Sequence, residues 1–365
     1  MNICIIGDGL TSLSLAKNLI NKKINVHIYQ KKTTKNLTSN RSIGVSKSNL
    51  EFFEKEILKL PKKIIWKIKE IEIYSEKLKK DKILNFQNNK NDLFYMLKNE
   101  KLYKLLSNEL LKNKFFKKTI IKQENFYEKL IKKNSYDLII NCDQNNFISK
   151  KYFNKRIDKD YKNLAYTTIL KHEKLENNSA IQVFTNFGPI AFLPISNTKT
   201  SVVFSLDIKN KIYADREILE QINKHNPKFK IKKISKLSCF NLKFSNLRKY
   251  YYKNILAFGD LLHRIHPLAG QGFNMTIRDI KNLSEIIQHK IDLGLQLDTL
   301  ILEQFQKKTK NRNFIFSSGI DFVYEFFNFD KKNKGKNLNK ILKYLGTNKS
   351  FINSIIKFAD KGLNI

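Results

Sequence analysis

Two stretches of this chain carry residue types that could do chemistry. The first is Gly7-Asp8-Gly9-Leu10-Thr11-Ser12, placed directly after the apolar run Met1 to Ile6. Glycine in such a position permits a tight turn, and a second glycine lets a pyrophosphate approach the backbone. The helix that should follow would add N–H donors and a positive dipole end. The second stretch runs from Leu256 to Asn274. A strand ends there at Gly259 and presents Asp260, whose carboxylate can accept hydrogen bonds from polyol hydroxyls. Pro267 stiffens the following loop, while Gly270 and Gly272 leave backbone N–H groups uncovered at a helix start. Such donors stabilise negative charge on a reduced flat ring. His263 and His266 next to Asp260 could instead hold a metal, but no further ligand cluster accompanies them, so no metal is expected.

These residues need elements to hold them. Met1–Ile6 reads as a strand, Leu10–Ile20 as a helix and Asn25–Tyr29 as a second strand, a parallel crossover unit. Helices are expected over Lys47–Leu58 and Asp92–Leu111, alternating strand pattern over Ile64–Tyr74, and a buried strand over Tyr136–Asn141. Short β-rich runs at Tyr166–Leu170, Ala180–Phe184, Ile190–Leu193 and Thr200–Leu206 predict a mostly antiparallel sheet. Strand Ile255–Phe258, a helix over Phe273–His289 and helical pattern beyond Leu297 complete the pass. The expected fold class is α/β. A Rossmann-like nucleotide-binding domain (1–62, 92–160 and 250–296) is interrupted by a β-sheet substrate domain (63–91 and 161–249), with a helical region at 297–365.

Composition narrows the function classes. The chain has 365 residues, 41% of them hydrophobic, which suits a globular protein and argues against disorder. Its 69 Lys and Arg against 33 Asp and Glu give a net charge of +36. The lysines are scattered in pairs such as Lys31-Lys32 and Lys117-Lys118, without an Arg-rich tract. That pattern reads as compositional drift with weak membrane-surface attraction as a by-product. No nucleic-acid signature accompanies the charge. Cys4, Cys142 and Cys239 form no CxxC pair, so neither a disulfide framework nor a zinc site is indicated, and a reducing cytoplasm is expected. Apolar residues near the N-terminus lack a cationic leader and are broken by Gly7-Asp8-Gly9, unlike a signal peptide. No 18-residue apolar stretch exists, so nothing should span a membrane; a peripheral contact with the inner membrane stays open.

The segment Gly259-Asp260-Leu261-Leu262-His263-Arg264-Ile265-His266-Pro267-Leu268-Ala269-Gly270-Gln271-Gly272-Phe273-Asn274 resembles the flavoprotein aromatic-ring hydroxylases, whose pattern is GDAAHxxxPxxGQGxN. The similarity is greatest to the branch that hydroxylates ubiquinone precursors. Arg41-Ser42-Ile43-Gly44-Val45-Ser46 looks like that branch's RxIALS segment, followed by a Trp-containing stretch at Trp66. Tyr95-Met96-Leu97-Lys98-Asn99 resembles its helix-opening segment, and Phe187 to Pro194 its GPxAxLP strand. Asp279 falls where the family has a helix aspartate. The chain also departs from the pattern. Ser12 replaces the third glycine of the nucleotide loop, and Gln30 stands where a ribose-binding acid is usual. Leu261-Leu262 replaces two alanines. Cys142 to Phe147 keeps the Asp of the family's ADGxxS motif but loses its Gly and Ser.

What the resemblance implies is an FAD-dependent monooxygenase that uses O2 to hydroxylate the ring of a prenylated phenol in ubiquinone biosynthesis. The hard chemistry belongs to the cofactor, so the residues of interest are binding residues. Gly7, Gly9 and Ser12 would lie on the pyrophosphate, Gln30 on the ribose and Asp260 on the ribityl chain. Arg41 would sit near the phosphates or ring, with Pro267, Gly270, Gln271 and Gly272 at the isoalloxazine, and Asn274 would also bind the cofactor. Substrate would lie between that ring and the sheet carrying Ala191, Phe192 and Pro194. The electron donor, NAD(P)H or a protein, stays open because Gln144 and Phe147 alter the motif. Two other readings compete: a prenyl-chain reductase on the same fold, and a flavin-binding but idle subunit of a membrane-associated quinone-biosynthesis assembly. The candidate membrane contact is a basic amphipathic C-terminal helix with Phe351, Ile352, Ile355, Ile356 and Ala359 on one face; the alternative is that this face docks on the flavin domain.

Overall fold

The computed structural model describes residues 1–31, 41–76, 82–87, 92–123, 125–133, 135–208, 213–332, 344 and 346–363. Three sheets organise them. The first has six strands in the order β16 (Tyr251–Tyr252), β17 (Ile255–Ala257), β9 (Leu138–Asn141), β1 (Asn2–Ile6), β2 (Asn25–Lys31) and β8 (Phe116–Ile121). All pairings are parallel except β16 with β17. Ile3, Cys4, Ile5 and Ile6 are at most 1% exposed, as expected of a strand covered on both faces. Helix α1 (Leu10–Asn21) is the crossover from β1 to β2, and its Leu13, Leu15, Ala16 and Leu19 join the same core.

The second sheet has nine strands. Its main path is β18 (His263–Arg264), β15 (Ser238–Leu247), β10 (Arg156–His172), β13 (Lys199–Asp207), β12 (Pro189–Ser196), β11 (Ser179–Phe184), β5 (Glu70–Ser75) and β6 (Lys82–Gln87), with β14 (Ile231–Ile234) paired to β10. It is antiparallel except where β11 meets β5. One face packs under helix α6 (Asp215–Lys224), where Tyr166, Leu170, Ile190, Phe192, Val202 and Phe204 meet Ile218 and Ile222. The other face carries Tyr161, Ala165, Val203, Phe240, Leu242 and Phe244 and turns toward Leu268. A third sheet, β3 (Ser42–Ser46), β7 (Phe94–Lys98) and β4 (Ile65–Ile68), bridges between them.

The remaining helices are α2 (Lys47–Glu56), α3 (Asn99–Leu111), α4 (Phe126–Lys133), α5 (Phe147–Tyr152), α7 (Gln271–Asp292), α8 (Thr299–Lys332) and α9 (Lys349–Lys361). This is the mixed α/β architecture expected from the sequence, with corrections in detail. Asp92–Leu111 is not one helix. Phe94 to Lys98 form the central strand of the third sheet, and α3 begins only at Asn99, where Leu102, Leu106 and Leu110 start a four-residue rhythm. Aromatic residues packed between two neighbouring strands outweigh a helical reading of so short a run. The alternating stretch Ile64–Tyr74 is likewise two strands in two sheets, divided at Lys69, whose N–H donates to the Asn178 carbonyl.

The apolar face of the C-terminal helix docks on protein, the alternative to a membrane contact, and does so mainly on the second sheet. Phe351, Ile352, Ile355 and Ile356 of α9 pack against Ile83, Leu84 and Phe86 of β6 and against Leu93. Phe358 stacks on Phe316 of α8 at 4.7 Å. Asp360 accepts the Ser48 N–H at 2.8 Å, giving the N-terminus of α2 the acid its own side chains lack. The apolar face is thus covered by protein. Among the described residues, no helix is long and apolar enough to cross a membrane.

Candidate cofactor site

The end of the first sheet where β1, β9 and β17 finish gathers both chemical stretches. Gly7 adopts φ 109°, and its N–H donates to the Tyr29 carbonyl at 2.8 Å, tying the turn to β2. Gly9 caps α1 in extended conformation with no side-chain cap. The first-turn N–H groups of a helix have no partner within it, and a Cβ placed on Gly9 would meet nothing within 4 Å. Backbone donors therefore face open space. Ser12 is fully buried beside Cys142, whose thiol is pushed up to about 12 by burial and is no nucleophile. Asp8, in the same loop, is turned to the Tyr103 hydroxyl at 3.3 Å, with the Lys118 ammonium 3.9 Å away. Sequence reading gave no role to Tyr103 or Lys118.

Contact between the two stretches is made by one glycine. Gly259 adopts φ 63°, and a Cβ there would stand 2.6 Å from Cγ2 of Thr11. Only glycine allows the loop after β17 to lie so close to the start of α1. Asp260 follows, exposed, with its carbonyl accepting from the Gln144 amide at 2.6 Å. Leu261 and Leu262 are buried in the core, and Arg156 donates to the Leu261 carbonyl. Larger side chains than the family's alanines are thus accommodated inward, away from Asp260.

The loop after Pro267 lies against β3. Gly270 adopts φ 62°, and a Cβ on it would be 3.6 Å from the Gly44 backbone. Gly272, in the first turn of α7, has nothing within 4 Å of the equivalent position. Asn274 is 2% exposed and its side chain is fully engaged with protein. Its oxygen accepts from the Ser46 N–H at 2.9 Å and the Asn49 amide at 3.1 Å; its nitrogen donates to the Gly44 and Gly270 carbonyls at 3.0 and 3.2 Å. Asn274 therefore fastens α7 to β3. Arg41 sits at the head of β3 with its guanidinium 4.9 Å from the Phe240 ring centre.

The buried amide oxygens without a hydrogen-bond partner in the protein include those of Gln30, at the end of β2, and Gln271, at the start of α7. Buried polar groups are rarely left so, because desolvation costs about 1–3 kcal/mol. Together with the open helix starts of α1 and α7, they fit a dinucleotide with a flat heteroaromatic ring, which supplies phosphates for the N–H groups and donors for the amide oxygens.

The altered motif at 142–147 has its own structural work. Asn146 caps α5 by accepting the Ser149 N–H at 2.8 Å, and Asn141, Asn146 and Ser149 form one buried network. His263 and His266 face different surroundings. His263 is bonded to Asp279 at 2.6 Å, and Asn313 donates to the same carboxylate at 2.9 Å, joining β18, α7 and α8. His266, 1% exposed, stacks on Tyr324 at 4.1 Å with Tyr161 edge-on at 5.5 Å. Neither of its ring nitrogens has a partner, and burial holds its pKa down at about 3, so the ring is neutral. No group of three or more potential metal ligands exists among the described residues.

The sheet face expected to meet substrate needs one correction. Ala191, Phe192 and Pro194 cannot share a surface, because neighbouring strand residues point to opposite sides. Phe192 is wholly buried on the α6 side, its ring 6.0 Å from Phe229. The face turned to the Pro267–Gly272 loop is that of Ala165, Val203 and Phe240, with Ala191 directly across from Val203. Parity was available in the sequence; which parity faced the loop was not.

Comparison with known proteins agrees with this geometry. A family model described as an FAD binding domain matches residues 169–293. A mitochondrial ubiquinone biosynthesis monooxygenase of Dictyostelium discoideum is 25% identical over 241 residues, covering 52% of this chain and 49% of that protein. The 3-demethoxyubiquinol 3-hydroxylase of Escherichia coli K12 is 30% identical over 175 residues, covering 45% and 44% respectively. The chain thus spans about half, or somewhat less, of the length of these curated relatives. Among solved structures, p-nitrophenol 4-monooxygenase from Pseudomonas putida superposes with a TM-score of 0.76 at 12% identity, covering 100% of this chain and 98% of that one. Klebsiella pneumoniae HpxO, solved with FAD and uric acid, gives 0.74 at 11% identity, covering 100% and 97%. The fold is theirs, residues 169–293 match an FAD binding domain, and about half of the chain is similar in sequence to hydroxylases of ubiquinone biosynthesis.

Proposed function

We propose that this chain is an FAD-dependent monooxygenase that hydroxylates the aromatic ring of a prenylated phenol, a ubiquinone precursor, using O2. The observation that carries the reading is the seating of Gly259 on Thr11, which sets Asp260 and the nucleotide loop side by side at one sheet end. Bound FAD would supply the redox chemistry that activates O2 for transfer of one oxygen atom to an electron-rich ring. The protein's own share is binding and shielding. Gly7, Gly9 and Ser12 with the α1 N-terminus hold pyrophosphate, Gln30 accepts a ribose hydroxyl, and Asp260 accepts from the ribityl chain. Pro267, Gly270, Gln271 and Gly272 border the ring, where the α7 N-terminus steadies negative charge. Asn274 acts through Gly44 and Gly270 by fixing β3 against that loop. The substrate ring rests against Ala165, Val203 and Phe240, under Leu268, with Arg41 at the rim. Those apolar walls exclude water from the reacting atoms.

The test is mass spectrometry of quinone intermediates in cells lacking the protein, paired with purified enzyme given reductant, O2 labelled with the heavy isotope and a soluble phenol. Label in the product ring, and an accumulated precursor one hydroxyl short, support the reading. Tight FAD binding with no hydroxylation under any reductant favours the idle-subunit reading, for which the altered 142–147 motif is the supporting feature. Because Gln144 and Phe147 replace the motif's Gly and Ser, reduction by NADH or NADPH alone should be slow in stopped-flow.

A further inference from the structure

Where α7, α8 and α9 meet, a guanidinium lies buried without a hydrogen-bond acceptor. Arg278 is on α7, and neither its Nη1 nor its Nη2 has a partner, although both are shut off from solvent. Each of those nitrogens carries its N–H groups in the plane of the side chain. The face of that plane rests on Phe316 of α8, with Cζ 4.3 Å from the ring centre. A ring attracts the cation through its face and leaves the in-plane donors unused. The nearby carboxylates are committed elsewhere. Asp279 is bonded to His263 and Asn313, and Asp360 accepts the Ser48 N–H. Burial holds the Arg278 pKa down at about 10 against the attraction of these two acids, so the group still carries its charge at neutral pH.

Beside this guanidinium is a recess of about 20 Å³, room for one water-sized body. Arg278, Arg312 of α8 and Lys361 of α9 border it, and no acid among the described residues does. The Asn282 and Asn313 amides and the Thr309 hydroxyl complete its polar wall. Gly362 closes the recess over Arg278: it adopts φ 69°, and a Cβ on it would stand 3.1 Å from Nε. Only glycine lets the end of α9 turn back so near the charge. Donors gathered from three helices, with positive charge in excess, fit an anion. A water would accept an N–H bond but leave the charge uncompensated, whereas a halide answers both needs.

We propose that this recess binds a small inorganic anion of the chloride class, held by Arg278 with Arg312 and Lys361 at its rim, and that the bound ion pins α9 to α7 and α8. Size favours a single-atom anion over phosphate or sulfate, whose oxygen shell exceeds the recess. The pin bears on the cofactor region through the same turn of α9. The carbonyl of Asp360 accepts from the Ser46 and Ser48 hydroxyls, and Gly44 of β3 lies against Gly270 of the Pro267–Gly272 loop. The site stands apart from the proposed ring pocket and does not depend on which molecule is hydroxylated there.

The experiment uses the full FAD-loaded chain in sodium gluconate, whose anion is too large for the recess, with chloride exchanged in at constant ionic strength. The melting temperature should rise by about 2 °C for each tenfold increase of chloride above its dissociation constant, the slope expected of one site in a chain this long. Crystals grown in bromide should show an anomalous peak at Arg278. Arg278→Met should flatten the chloride slope and remove the peak. Where that variant does not fold, Lys361→Met at the exposed rim decides. It should raise the chloride concentration of half effect by about threefold or more, and an unchanged value would count against the site. Equal melting temperatures in chloride and gluconate would overturn the proposal. So would a chloride slope that survives Arg278→Met, or a recess that holds only water in the bromide crystal.

Discussion

The nucleotide end of the first sheet and the inner face of the second sheet are built from different materials. At the nucleotide end, the groups that face open space are backbone N–H groups, and the positions that matter are glycines: Gly7 and Gly259 with positive φ, Gly9 with nothing beside it. At the inner face the surface is made of side chains from separate strands, Ala165, Val203 and Phe240, assembled by register. A backbone site can accommodate side-chain drift around it: Leu261 and Leu262 are buried in the core, and the altered 142–147 motif is held by its own network. A side-chain site has no such reserve, and on the proposed function substrate preference would be set there.

The sharpest way to separate the two faces of the second sheet is Phe192→Ala. This ring is wholly buried on the α6 side, so the change should cost about 3–5 kcal/mol of stability while KM for a phenol stays within about twofold. Chemical denaturation and steady-state kinetics check both. A large KM effect with little loss of stability would return Phe192 to the pocket. Gly259→Val attacks the nucleotide end. Backbone strain alone should cost about 1–3 kcal/mol, and the clash with Thr11 should part the two halves of the site, so purified protein should lose most of its flavin absorbance. Retained flavin would show that the close approach is dispensable.

Asp260→Ala should be milder for the fold and still damaging for the cofactor. The side chain is exposed, so the melting temperature of the apoprotein should hardly move. FAD affinity should fall by about 1.5–3 kcal/mol, the worth of hydrogen bonds to a charged group, read by fluorescence titration. An effect that is absent at neutral pH and grows with acidity concerns His266. Its pKa lies at about 3 in the folded chain against 6.5 when free, because burial disfavours the charged form. Between those values the unfolded chain binds the proton and the folded one does not. Stability is therefore whole above pH 6.5 and falls as pH drops toward 3, by about 1.4 kcal/mol per unit. His27, lowered to about 4 by burial and Lys117, titrates in the same direction. His266→Phe should remove its share of the slope, flattening the denaturation midpoint against pH between about 6.5 and 4. An unchanged slope would mean that His266 gains a proton without penalty.

Much of the nucleotide end was legible because its signals are local. Gly7, Gly9 and Gly259 each mark a turn within a few residues of a strand, and β1, α1 and β2 follow from runs whose spacing is unambiguous. The resemblance of 259–274 to a known pattern placed the second half of the site and its cofactor. The failures share a cause as well. Phe94 to Lys98 became a strand because β3 and β4 flank it, and α9 turned its apolar face to Ile83, Leu84 and Phe86 instead of outward. Neither partner is near in sequence.

What the sequence determined by itself, then, is the place of the turn glycines Gly7 and Gly259 and the period of elements such as β1, α1 and β2. Steric exclusion and periodicity are properties of a residue and its near neighbours. Tertiary structure alone decided which strand face meets the Pro267–Gly272 loop, that Asn274 fastens α7 to β3, and that β6 covers the apolar face of α9. Those outcomes depend on contacts between segments tens to hundreds of residues apart, where burial of one surface settles the fate of another.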